Sequence, residues 1–99
     1  MSNIALSNRN GVPTITIQGS FTFDENRHFR DVYEQIPRNK PVAVDLSRTD
    51  YMDSAGLGML LRLREHAGND PKSVRLVGAN DTVKLILEVA NFGRLFTLE

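Results

Sequence analysis

Asp50, Asp53 and Ser54 sit close together ahead of a run of small and apolar residues, Ala55 to Leu63, and their types and spacing could do chemistry. The run predicts a helix that opens with Asp53 or Ser54 at its N-cap and is buried for its first two turns. A helix mouth carries unpaired backbone N–H groups and a partial positive charge, which suits a hydroxyl cap and would equally suit a phosphate. An ordinary cap is the simplest account of Asp-Ser before a helix. Gly56 and Gly58 argue for more, because a glycine inside a helix costs about 1 kcal/mol relative to alanine. A close approach to that surface should compensate.

Other chemistries fit less well. Met52-Asp53-Ser54-Ala55-Gly56 lacks the first glycine of the Gly-x-Ser-x-Gly nucleophile elbow. His66 falls about 18 Å along the same helix at the usual rise per residue, too far to take a proton from Ser54, and His28 belongs to a different helix. Gly56-Leu57-Gly58 does not complete a phosphate-loop pattern. There is no cysteine, and the two histidines show no ligand spacing, so neither a metal nor a cofactor is expected. The expectation is a protein that is not an enzyme.

The elements that must position Ser54 follow from periodicity. Val42, Val44 and Leu46, just after Pro41, predict a short parallel strand buried on both faces. The stretch from Ser47 to Asp53 is then a loop at the carboxyl end of that strand, where open α/β sheets place their working groups. Upstream, Ile4 and Leu6 suggest a first strand, and Asn8-Arg9-Asn10-Gly11 signals a hairpin into a second strand from Val12 to Phe21. Pro13 must lie near the start of that strand or on an edge. Asp24 is placed to cap a helix whose stripe is Phe29, Val32, Tyr33 and Ile36, with Pro37 ending it.

Downstream, Gly68-Asn69-Asp70-Pro71 predicts a turn, and Val74, Leu76 and Val77 a further buried strand. Asn80 or Asp81 caps a last helix with the stripe Val83, Ile86, Leu87 and Ala90; Gly93 is expected at its C-terminus with positive φ, and Leu95 to Leu98 as a final strand. The chain of 99 residues is expected to form one domain, residues 1–99. Its class is α/β: a mixed, mostly parallel sheet of four to five strands, opened by a hairpin, with about three main helices.

Lys plus Arg equals Asp plus Glu at 12 each, so no net field draws the chain to nucleic acid or anionic lipid. Neither a secretory segment nor a membrane span is apparent, and a cytoplasmic location is expected. Partners must be found by shape and local charge. The face formed by the loop, Ser54 and the exposed edge of its helix is the candidate, with Asp50, Asp53, Gly56, Leu57, Met59 and Arg62 as contacts.

Val44-Asp45-Leu46-Ser47 followed by Met52-Asp53-Ser54-Ala55-Gly56-Leu57-Gly58 resembles the signature of the STAS domain, above all of the small bacterial anti-sigma-factor antagonists. That resemblance implies the STAS fold. It also implies that Ser54 is phosphorylated by a partner serine kinase, itself an anti-sigma factor, which the unphosphorylated form binds. A metal-dependent serine phosphatase would reset the switch. Many such antagonists carry Gly-Glu-Leu-Asp at the end of the second strand, where this chain has Gly19-Ser20-Phe21-Thr22. Thr22 replaces the acid, so either Asp24 takes its part in partner binding or the partner differs; a turn residue capping the first helix is an equal reading. Related domains also serve as ligand-sensing modules or adaptors for other partners, which is the alternative.

Overall fold

Alternation and turn chemistry build the first hairpin. In the computed structural model, which describes residues 3–99, β1 (Ile4–Arg9) and β2 (Val12–Phe21) pair antiparallel around Asn10 and Gly11, both at positive φ. The amino-terminal Met1-Ser2 lies outside the described residues. Pro13 is the second residue of β2, and pairing with the following strand begins only at Thr14, so its missing N–H breaks no bond on that side.

Three crossover units follow. Phe23–Glu25 forms a 3-10 turn leading into α1 (Asn26–Tyr33); β3 (Val42–Met52), α2 (Ser54–Ala67), β4 (Val74–Val77), α3 (Asp81–Val89) and β5 (Thr97–Leu98) complete the order. The sheet runs β1-β2-β3-β4-β5, antiparallel at the first pair and parallel at the other three. Sequential parallel neighbours joined by right-handed crossovers put all three helices on one face. The result is a mixed α/β sheet with a single core.

That core joins Ile15, Ile17, Val44, Leu46, Val74 and Leu76 of the sheet to Phe29 of α1, Leu60 and Leu63 of α2 and Val83 and Leu87 of α3. The opposite face carries Arg9, Thr16, Asp45 and Arg75, with Arg9 reaching across β2 to Asp45 at 2.8 Å and Arg75 tied to Glu99 at 3.2 Å. Val42, Val44 and Leu46 are therefore covered by helices on one side only. Expecting cover on both missed that strands added in sequence all send their helices to the same side.

Several local expectations change with the structure. The stretch after Leu46 is strand, not loop: β3 continues to Met52, and only Asp53 separates it from α2. Two register shifts against β2 absorb the irregularity. The buried Thr49 hydroxyl donates to the Ile17 carbonyl at 2.7 Å, and the Asn80 amide donates to the Thr49 carbonyl at 3.2 Å. Asp24 caps nothing, since it lies inside the 3-10 turn and α1 starts without a side-chain cap bond. α1 ends at Tyr33, before Pro37. The left-handed residue after α3 is Asn91, at φ 60°, rather than Gly93.

Candidate functional site

Ser54 is the first residue of α2 and is exposed, but it is not the cap. Asp53, in extended conformation, accepts the Gly56 N–H at 2.9 Å with its side chain and so holds the N-cap position. The Ser54 hydroxyl makes no hydrogen bond to any described residue. It stands free at a helix mouth. Asp50 on β3 is exposed and forms no ion pair with a described residue.

The parallel register brings the other predicted residues to the same end of the sheet. Phe21 pairs with Met52, so Thr22 and Asp24, just past β2, lie at the end of the sheet where β3 gives way to Asp53 and Ser54. Thr22 occupies the cap position of the 3-10 turn without a side-chain bond, and Asp24 is exposed. Neither residue is consumed by the fold. Arg62, two turns along α2 from Ser54, is exposed and unpaired.

Two predicted contacts are removed from the surface. Met59 is buried in the core at 3% exposure, and Gly56 is buried against the end of β2. A Cβ on Gly56 would stand 2.5 Å from the Phe21 carbonyl oxygen and 3.0 Å from the Met52 Cβ. This glycine serves the close approach of α2 to β2. Gly58 serves no such purpose, since a Cβ there would meet nothing within 4 Å. Leu57 is half-buried, and the first two turns of α2 thus bury one face and leave Ser54 outside.

Sequence reasoning passed over two aromatic side chains at this end. Phe23 in the 3-10 turn is 68% exposed and Tyr51 near the end of β3 is 48% exposed. Their signal in the sequence is position: Tyr51 falls within the stretch expected as loop and Phe23 next to the expected Asp24 cap. Leu61 on α2 is also exposed.

The His66 ring is buried, with Nε2 2.6 Å from the Ile36 carbonyl oxygen and Nδ1 3.4 Å from Arg38, while the His28 ring approaches Glu25 at 3.9 Å. Among the described residues, no three His, Asp or Glu side chains are grouped to hold a metal ion, and no helix is long and apolar enough to cross a membrane.

The family model described as "Mlab, STAS domain" matches residues 4–98. The chain belongs to the STAS domain family. It is 43% identical over 88 residues to a STAS-domain containing protein of Pseudomonas aeruginosa, covering 86% of this chain and 85% of that one. Among solved structures, an anti-sigma factor antagonist from Mycobacterium paratuberculosis superposes with a TM-score of 0.82 at 16% identity, covering 96% of this chain and 82% of that one. Unphosphorylated SpoIIAA, also an anti-sigma factor antagonist, gives 0.72 at 14% identity over 97% and 87% of the two chains. At these identities the structures speak for the fold, and the STAS fold expected from the signature around Ser54 is the one observed.

Proposed function

We propose that this STAS domain is an anti-sigma-factor antagonist of a partner-switching pathway. Its unphosphorylated form binds a kinase-type anti-sigma factor through the face around Ser54; phosphorylation of Ser54 by that kinase releases it, and a metal-dependent serine phosphatase restores it. The supporting observation is that Asp53 caps α2, which leaves the Ser54 hydroxyl exposed and unbonded. A kinase can modify it without dismantling the helix start. The fold shared with two proteins described as anti-sigma factor antagonists supports the same reading.

The direction of the switch follows from charge burial. A phosphate adds about −1.5 to −2 charge, and an uncompensated charge in an interface costs about 2–5 kcal/mol, a loss of roughly 30-fold to several thousand-fold in affinity. The partner is identified by co-purification with the tagged chain, and the phosphoacceptor by fragment mapping after incubation with partner and ATP. Calorimetry then decides the direction. Ser54→Ala is expected to bind as wild type does, and Ser54→Asp weakly. Label on Ser47 or Thr49, or tight binding by Ser54→Asp with failure of Ser54→Ala, overturns the reading.

A further inference from the structure

Five of the seven aromatic side chains are buried, and the two that are not, Phe23 and Tyr51, both lie at the end of the sheet that carries Ser54. The register fixes this. Ser20 pairs with Tyr51 and Phe21 with Met52, so Tyr51 stands on β3 just before the start of α2, beside the chain that continues to Phe23. The first turn of α2 sits on the end of β2, where a Cβ on Gly56 would meet the Phe21 carbonyl oxygen, so Phe23 leaves the sheet next to that turn. Neither ring contacts another aromatic among the described residues. A single exposed apolar side chain is ordinary surface, but aromatics gathered at one end are what the cores of protein interfaces are built from.

Two further observations point to an occupant. Gly58 lies one turn on from Ser54, where glycine weakens the helix, and a Cβ there would meet nothing within 4 Å. Nothing inside the domain requires that glycine; a partner lying close against the helix backbone does. Charge then says what kind of partner it is. Across residues 20–27 and 47–58 the four carboxylates of Asp24, Glu25, Asp50 and Asp53 outnumber the cations of Arg27 and Arg48, in a chain whose total charge is zero. Asp24, Asp50 and Asp53 form no ion pair with a described residue.

We infer that Phe23 and Tyr51 are the anchors by which the Ser54 end holds its partner, a protein surface with apolar hollows rimmed by arginine or lysine that comes closest at Gly58. The inference rests on the Ser54 face being where the partner binds. It assigns the affinity to the rings and leaves to Ser54 the control of that affinity.

The probe is the protein that co-purifies with the wild-type chain, purified on its own, and calorimetry measures its affinity for the whole chain and each variant. Phe23→Ser and Tyr51→Thr remove exposed rings and should leave the melting temperature near wild type, yet each should weaken binding about tenfold or more. Gly58→Leu has room inside the fold and should weaken binding about tenfold as well. Wild-type affinity should fall as salt is raised from about 0.05 to 0.5 M. Unchanged affinity in any of the three variants, or no fall with salt, overturns the inference, and the switch still stands if Ser54→Asp binds weakly. Weak binding by all three variants beside tight binding by Ser54→Asp upholds the anchors and removes the switch. A wild-type dimer that Phe23→Ser converts to monomer overturns the inference in favour of a second copy of this chain, and recovery of no protein with the wild-type chain overturns both readings.

Discussion

Two glycines two positions apart in α2 do different work. Gly56 lets the helix sit against the Phe21 carbonyl, where a Cβ would approach to 2.5 Å of backbone that cannot move aside cheaply. Gly56→Ala should therefore destabilise the domain by about 1–3 kcal/mol, the usual range for overpacking, despite the better helix former. Gly58→Ala has open space and should gain up to about 1 kcal/mol. Urea unfolding of the two variants checks both signs. The same scale separates Asp53 from Ser54: losing the cap in Asp53→Ala should cost about 0.5–2 kcal/mol, while Ser54→Ala stays within about 0.5 kcal/mol of wild type. Sequence spacing located Ser54 but could not choose between the two capping candidates, because either side chain can reach the free N–H groups. Met59 was misplaced for a related reason. The apolar run around α2 is continuous, so its buried stripe is not visible until a neighbouring strand selects it.

The strands and helices with a clear period were legible: the hairpin at Asn10-Gly11, the buried stripe Phe29, Val32 and Tyr33 of α1, with Ile36 buried just beyond its end, and β4 stand where periodicity and turn chemistry put them, and of the two cap candidates for α3 it is Asn80 that accepts the Val83 N–H, at 2.8 Å. The second half of β3 was not. Ser47, Arg48, Asp50 and Tyr51 are polar or exposed, and what holds them in the sheet is contact with other elements. Thr49 is the pivot, since its buried hydroxyl satisfies the Ile17 carbonyl beside a register shift. Thr49→Val keeps shape and leaves that carbonyl unpaired, at an expected cost of about 1–3 kcal/mol. Hydrogen exchange should show the loss first at the amides from Arg48 to Met52. If exchange there is unchanged while global stability falls, the hydroxyl supports the core rather than the strand extension.

At the scale of the molecule, a sheet covered on one face only leaves its charged side chains to organise the other. Asp45 sits at the centre of that face. Burial pushes its carboxyl towards a higher pKa, but hydrogen bonds from the Ser47 side chain and N–H, with the bond and charge of Arg9, outweigh burial and hold it below the ordinary value. A carboxyl with a depressed pKa in the folded state binds a proton more readily when unfolded. Its contribution is therefore complete above the unfolded-state pKa, about 3.9, and is lost as pH falls through the lower folded-state value. Arg9 is half exposed, at 53% of its side chain, so solvent screening keeps the pair's worth to about 1 kcal/mol or less. Asp45→Asn should lower stability at pH 7 by about that amount and flatten the acid limb of the stability curve. Urea midpoints measured for wild type and variant from pH 7 down to about pH 3 make the comparison, and the two curves should converge at the acid end. A constant gap across the whole range would mean that shape or neutral hydrogen bonding at Asp45, rather than its charge, holds the open face together.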